Sequence, residues 1–478
     1  MKIEQLRLRQ FRSYDDATFK FLPGMNLIVG VNGTGKSTVL DALRTMLVQA
    51  LPRLTNIKMR PKSFSINDIT NGKDSLTADI QFEHADQTFV YLVHQPNEKY
   101  RPAKKEKNVD KRSPGIEEGV PQPLPEKEID MHSQAYGSIP KRTSSRGALS
   151  KHDRSSQVYD LTPRRNFAYL DEYNIRHPIG NIKDAPEAIR LASQLPLAVY
   201  YSTRRSLLKE SKGSQRERLE TPAYAESLRT RELNVQEFSD WWLVQEESGR
   251  NDVLNSLQIA VSTFLDNISN VRAVRESDRT LALDRSGASL LLDKAGMTLD
   301  VRQLSDGERG MLALALDLAR RLVLANPNLS ESAPLLEGQA VVLIDELDLH
   351  LHPQWQRTIV QRLTKTFPAC QFIATTHSPQ IIGEVAPENI ILLENGKQPY
   401  RPDQSLGMDS NWILQVLMGT SDRNVKISAQ LEQISDLIED AAYEQAAAEI
   451  AHLRKDMPGD PELVKLQVRL EHLQILGE

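Results

Sequence analysis

Cysteine is nearly missing from this chain: Cys370 is the single one in 478 residues. Neither a disulfide framework nor a cysteine-rich zinc site can be built from it, and a reducing cytoplasm is the expected compartment. Long apolar runs are missing too. No window approaches the roughly 18 consecutive apolar residues of a membrane span, so no membrane partner is expected. The opening Met1-Lys2-Ile3-Glu4-Gln5-Leu6-Arg7 alternates polar and apolar side chains and lacks the apolar core of a signal peptide. No internal repeat occurs, and no sustained heptad pattern runs through the middle region between the two strand-rich blocks, which argues against a long coiled-coil arm. Neither sign of charge dominates, since 59 Lys and Arg face 64 Asp and Glu for a net charge of -5. That balance disfavours bulk coating of nucleic acid and leaves a local basic patch open. What is present, 40% hydrophobic and 26% charged residues, describes an ordinary globular protein. The length suffices for about two to four structural units around a large core.

Residues 1–95 predict short strands around one helix. Ile3, Leu6 and Leu8 lead into Phe11-Arg12-Ser13-Tyr14, the apolar run Met25-Asn26-Leu27-Ile28-Val29 ends in Gly30, and Ser37 to Ala50 has helical spacing. Leu76 to Phe82 and Thr88 to His94 read as further strands. From 96 to 163 the composition shifts to Pro, Gly, Ser and charge, with few apolar positions. Such a stretch cannot offset the entropy of ordering, so a flexible charged insertion is expected. Its Arg101, Lys104, Lys105, Lys107, Lys111 and Arg112 read as a solvated linker or, alternatively, as a contact for nucleic acid or a partner. Residues 164–270 predict a helical lobe, with a buried strand from Leu195 to Tyr201 and helices from Val235 to Leu265. Phe238, Trp241 and Trp242 in those helices are expected as core anchors rather than base-stacking platforms. A second strand-rich block fills 271–400. Residues 401–478 read as a helical tail with Leu431, Ile434, Leu437 and Ile438 at helical spacing.

Four segments carry chemistry. Gly30-Val31-Asn32-Gly33-Thr34-Gly35-Lys36-Ser37 fits the phosphate-loop pattern and lies between an apolar strand and a helix, where the mechanism needs it. Glycines let backbone N–H groups wrap a phosphate that also faces the positive end of the helix. Lys36 would reach the β- and γ-phosphates, and Ser37 would ligate Mg²⁺. Val341-Val342-Leu343-Ile344-Asp345-Glu346 is an apolar strand ending in two carboxylates, as a parallel sheet covered on both faces allows. Asp345 would hold the metal through water and Glu346 would orient or activate the attacking water. Leu304-Ser305-Asp306-Gly307-Glu308-Arg309 precedes a Leu- and Ala-rich helix, which places the Ser305 hydroxyl and Gly307 amide at a helix N-terminus. It reads both as an anion site and as a capping box of S-x-x-E spacing, because the two uses share donors. Finally, the strand Phe372-Ile373-Ala374-Thr375-Thr376 delivers His377-Ser378-Pro379.

Together with the turn Leu347-Asp348-Leu349-His350-Leu351-His352-Pro353, these motifs resemble the ABC-type ATPase heads of the SMC, RecF and OLD class. The resemblance implies an α/β fold: a P-loop ATPase head with a helical lobe, a flexible insertion and a C-terminal helical tail. It implies ATP and Mg²⁺ as cofactors. Gly30, Asn32, Gly33, Gly35, Lys36, Ser37 and Thr38 would bind nucleotide, Ser37 and Asp345 would hold metal, and Glu346 and His377 would be catalytic. Leu8-Arg9-Gln10-Phe11-Arg12-Ser13-Tyr14 is similar to the N-terminal strand of that class, in which the arginine, here Arg12, approaches the phosphates. One departure is Asp306, where transporter ATPases usually carry glycine; the aspartate recurs in the OLD-like branch.

OLD nucleases add a TOPRIM domain with acids on strand ends. Here the tail is helical, its Asp436, Glu439 and Asp440 read as a solvated face, and no HNH pattern occurs, so no nuclease activity of its own is expected. The overall layout resembles the ATPase subunit of Septu-type antiphage systems, including those attached to retrons, which holds a separate HNH-type nuclease. A RecF-like repair ATPase acting on DNA, and a transporter motor or non-hydrolysing module, are the alternatives. In the class, the signature segment lies far from its own phosphate loop, which implies a homodimer or higher oligomer of head-to-tail heads. Ser305 and Gly307 of one copy would then face the nucleotide of the other. DNA or retron msDNA is a further expected partner.

Overall fold

A computed structural model of the chain describes residues 1–54, 59, 62–97, 158–162, 196–203, 223–224, 226–229, 235–275, 288–329, 332–395, 397–421 and 423–476. Its strands are β1 (Lys2–Phe11), β2 (Tyr14–Lys20), β3 (Met25–Gly30), β4 (Ser75–His84), β5 (Gln87–Pro96), β6 (Val158–Asp160), β7 (Leu197–Tyr201), β8 (Ile268–Arg275), β9 (Ala288–Lys294), β10 (Met297–Asp300), β11 (Ala340–Ile344), β12 (Gln371–Thr375) and β13 (Ile390–Leu393). The longer helices are α1 (Lys36–Leu54), α2 (Val235–Glu247), α3 (Asn251–Phe264), α4 (Asp306–Ala325), α5 (Ile359–Thr366), α6 (Val425–Glu439), α7 (Tyr443–Asp456) and α8 (Pro461–Leu476).

A parallel sheet of order β13-β3-β12-β11-β7 forms the middle layer. Because side chains alternate along a strand, each central strand feeds two cores. Leu27 and Val29, Val342 and Ile344, and Phe372 and Ala374 join one core with α2, α3, α4 and the antiparallel sheet β10-β9-β8. Ile28, Val341, Leu343 and Ile373 join the other with α1 and the sheet β2-β1-β4-β5-β6. Burial on both faces is why these strands read as unbroken apolar runs. In α1 the buried Val39, Leu43, Met46, Ala50 and Leu54 recur at helical spacing and aim one face at the second core. Helix α4 is buried almost all round, Asp317, Arg320 and Arg321 included. Those three are bonded together and to Tyr201: Arg321 donates to Asp317 at 2.7 Å, Arg320 donates to it at 3.2 Å, and the Tyr201 hydroxyl donates at 3.1 Å. The charges are thereby paired inside the core.

Two boundaries differ from expectation. Most of the insertion expected over 96–163 lies outside the described residues, but its far end is sheet. β6 pairs parallel with β5, Leu161 and Thr162 are fully buried, and the Thr162 hydroxyl accepts from Leu92 N at 3.0 Å. Leu161 is one of the few apolar residues of that stretch. The expected helical lobe, of which 164–195, 204–222, 225 and 230–234 lie outside the described residues, is not separate where it is described. β7 is an edge strand of the central sheet, and α2 and α3 share its core, with Trp241 and Trp242 each 2% exposed. The tryptophans are the anchors their sequence suggested.

In the tail, α6, α7 and α8 enclose a core of their own, with Leu431, Ile434, Ile438, Ile450, Leu453, Leu463 and Leu470 buried. Asp436, Glu439 and Asp440 are exposed. Among the described residues no helix is long and apolar enough to cross a membrane.

Candidate functional site

Parallel pairing of β12 with both β3 and β11 sets three carboxyl ends side by side, Thr375 opposite Ile28 and Ala374 opposite Ile344. Ligands of open parallel sheets bind at such ends. From them emerge the phosphate loop (after β3), Asp345-Glu346 (after β11) and Thr376-His377 (after β12).

The loop is shaped by its glycines. Gly33 and Gly35 sit at φ +87° and +95°, which side-chain-bearing residues rarely adopt. A Cβ on Gly30 would lie 2.5 Å from the Leu393 carbonyl oxygen of the neighbouring β13. Thr34 closes the turn through its hydroxyl, which donates to Val31 O at 2.9 Å. Lys36 is buried, and its ammonium donates to Gly30 O at 2.8 Å and Val31 O at 3.0 Å. Burial lowers its pKa, against the pull of Asp345, Glu346 and Asp348. The side chain is thus a partly desolvated cation facing three carboxylates. Asn32 and Ser37 are exposed and Thr38 half-buried on the same loop-to-helix turn.

Ser37 Oγ donates to Asp345 Oδ1 at 3.1 Å across 308 residues of sequence. The same carboxylate oxygen accepts from Thr375 Oγ1 at 2.8 Å, and Thr375 Oγ1 in turn accepts from Glu346 N at 2.8 Å. Thr375 therefore holds the Asp345 carboxylate and the backbone that carries Glu346. Glu346 needs this, because its φ of +50° places a residue with a side chain in the left-handed region. One residue on, Thr376 Oγ1 donates to Asp348 Oδ1 at 2.6 Å and His377 N donates to it at 3.1 Å. His377 is half-buried. Burial first and Lys36 second lower its pKa, while Asp348, Glu346 and Asp345 oppose them. The imidazole is accordingly neutral at neutral pH.

The remaining expected residues bond to other partners. Ser305 caps α4: its hydroxyl accepts from Glu308 N at 3.4 Å, and Glu308 Oε2 accepts from Ser305 N at 3.0 Å. Glu308 also pairs with Lys294. Its pKa is lowered by Lys294 and the Ser305 backbone, which together outweigh burial, the largest single influence and an opposing one. A Cβ on Gly307 would meet the His350 carbonyl oxygen at 2.4 Å, so this helix start packs flush on the turn that follows Asp345-Glu346. Arg12 lies beside α1, with Nε donating to Asp68 at 2.9 Å and a terminal nitrogen to Asp41 at 2.9 Å. Asp41 also accepts from Arg44 and from Lys62. Its guanidinium is committed to these acids.

Sequence reasoning included Thr375, Asp348 and Tyr14 in its motifs but gave them no role; the Tyr14 hydroxyl donates to Thr34 O at 3.0 Å. The signal for Thr375 is positional: a hydroxyl closing a buried strand, legible only once β12 is known to lie beside β11.

Relatives that align with this chain include two retron ATPases and a Septu protein. The "Retron Ec83 probable ATPase" of Escherichia coli is 27% identical over 98% of this chain and 87% of its own length. The "Retron Vc95 probable ATPase" of Vibrio cholerae serotype O1 biovar El Tor is 26% identical over 81% of this chain and 74% of its own. A "Septu protein PtuA" of Bacillus mycoides is 37% identical over 25% of this chain and 16% of its own. A family model described as "AAA ATPase domain" matches residues 1–382, from the first strand through the phosphate loop, Asp345-Glu346 and His377. The chain belongs to the AAA ATPase domain family and is an ATPase.

Proposed function

We propose that this chain is an ATP-driven switch and scaffold subunit of an antiphage defence complex, and that it holds and regulates a separate HNH-type nuclease. The observation that carries the ATP-dependent part is the bonded series Ser37, Asp345, Thr375 and Glu346 across three adjacent strand ends. The likeness to two retron ATPases over most of their length supports the defence setting.

In this reading Gly30, Asn32, Gly33, Gly35, Lys36, Ser37 and Thr38 bind ATP, the backbone N–H groups cradling its phosphates. Ser37 and Asp345 are hard oxygen donors bonded to one another, which suits Mg²⁺. Among the described residues no cluster of three or more His, Cys, Asp or Glu could hold a metal, so the nucleotide's own oxygens would complete that set. When bound, Mg²⁺ neutralises charge on the phosphate oxygens. Glu346 orients or deprotonates the attacking water, and neutral His377 contacts the γ-phosphate. Ser305 and Gly307 of a second ABC-type head complete the site head to tail, so ATP favours a closed homodimer and hydrolysis releases it. Arg12 joins the phosphates only after giving up Asp41 or Asp68.

The test has two arms. Purified protein should hydrolyse ATP with Mg²⁺ and should not itself cut plasmid, single-stranded DNA or tRNA. It should also co-purify with a nuclease encoded beside it. ATPase activity strongly stimulated by DNA, with no nuclease bound, would favour the RecF-like alternative instead.

A further inference from the structure

Tyr14 opens β2, on the antiparallel sheet rather than on the sheet that carries the phosphate loop, yet it reaches that loop twice. Its hydroxyl donates to Thr34 O at 3.0 Å. Its ring lies so close to Gly35 that a Cβ there would fall 2.6 Å from the hydroxyl and 3.0 Å from the ring carbon bearing it. The ring is buried and packs edge-on against Phe19, with centroids 5.6 Å apart. Burial pushes the hydroxyl's pKa well above its ordinary value, so it remains a donor at every pH the folded chain meets.

The consequence follows from peptide geometry. The Thr34–Gly35 peptide is trans. In a trans peptide the carbonyl and the following N–H point in opposite directions. A Thr34 carbonyl drawn toward Tyr14 therefore turns the Gly35 N–H away from Tyr14. Gly35, at φ +95°, has little intrinsic preference of its own that would hold this peptide plane.

We propose that Tyr14 is a positioning residue for phosphate binding: through the Thr34 carbonyl it fixes the direction in which the Gly35 amide is presented to a bound phosphate. It touches no substrate. The proposal rests on the reading of residues 30–37 as the phosphate cradle. It explains why a residue of the outer sheet is buried against this loop, and it ties loop geometry to the β1–β2 hairpin.

Three substitutions test it, each measured by ATP hydrolysis and by titration with ATP and with inorganic pyrophosphate. Tyr14→Phe keeps the ring against Gly35 and removes only the donor. It should weaken both ligands by the same factor, about three- to tenfold, and raise KM while leaving kcat unchanged, as expected for loss of a contact equal in ground and transition states. Phe19→Leu disturbs the packing of Tyr14 without touching the hydroxyl; it should lower Tm and leave both affinities unchanged. Wild-type affinities in Tyr14→Phe, or an equal loss in Phe19→Leu, would overturn the proposal. Lys36→Ala separates this from the underlying reading. Loss of binding there with unchanged Tyr14→Phe sinks the role of Tyr14 alone, whereas undiminished binding in Lys36→Ala removes the cradle itself.

Discussion

The two ends of the site proposed to meet across a dimer are built in different ways. At the phosphate-loop end, side chains bond across the sheet: Ser37 to Asp345, Thr375 to Asp345, Thr376 to Asp348. At the other end, Ser305 finds its partner three residues away in Glu308, and the segment's close neighbours elsewhere include Lys294 and the His350 carbonyl. The first is a property of strand order and the second of a local helix cap. Damage to the first should therefore act on chemistry within one chain. Damage to the second should spare a lone chain and appear only where a second copy completes the site.

The largest effect should come from Glu346→Gln. It keeps the shape at φ +50° and removes the charge proposed to act on the water, so turnover should fall about 10²- to 10⁴-fold while ATP affinity is retained. The protein should then accumulate as ATP-bound dimers, measurable by light scattering. ATP affinity falling in step with turnover would place Glu346 in binding rather than in the chemical step.

Next comes Ser305→Asp, which separates the two uses of the same donors. Aspartate still accepts from Glu308 N but loses the donor to the Glu308 carboxylate and sets a second negative charge beside it, so Tm should fall modestly. A carboxylate facing a partner's γ-phosphate should also repel it, lowering turnover about a hundredfold at unchanged ATP affinity in dilute protein. Normal turnover would leave Ser305 as a cap and nothing more.

That difference in construction also decides what the sequence disclosed. The cap at Ser305 and Glu308, the glycines of the loop and the acids after Val341 to Ile344 are local patterns, and local spacing suffices to find them. Thr375, Asp348 and Tyr14 act through strand adjacency, which no spacing encodes: β12 lies between β3 and β11 although β11 precedes it in the chain. The α/β class was legible in unbroken apolar strands. The burial of Leu161 and Thr162 was hidden because two or three apolar residues in a polar stretch are too short a signal for a strand.

A smaller effect is expected at Thr375. Thr375→Val keeps the shape and deletes the donor to Asp345 and the acceptor for Glu346 N. A bond to a charged group is worth about 1.5–3 kcal/mol. Part of this would be recovered by water, so kcat should fall about tenfold, with Glu346→Gln and Thr375→Val less than additive because both act on one acid. Full additivity in the double variant would show that Thr375 acts through Asp345 or the fold and not through Glu346.

The smallest and most diagnostic effect is a change in the shape of a pH profile. Burial and Lys36 hold the pKa of His377 below its ordinary 6.5. An unfolded chain therefore takes up this proton before the folded one, so the contribution of His377 to stability is present above pH 6.5 and is lost as pH falls below it. Activity should follow the same sign if the neutral ring is the working form: kcat/KM, which reports the free enzyme, should stay level down to about 6.5 and decline only below it. His377→Gln should lower the plateau and remove that decline, and it also controls for any titration of ATP itself. A decline that persists in His377→Gln would assign it to another group and leave His377 a structural link between β12 and Asp348.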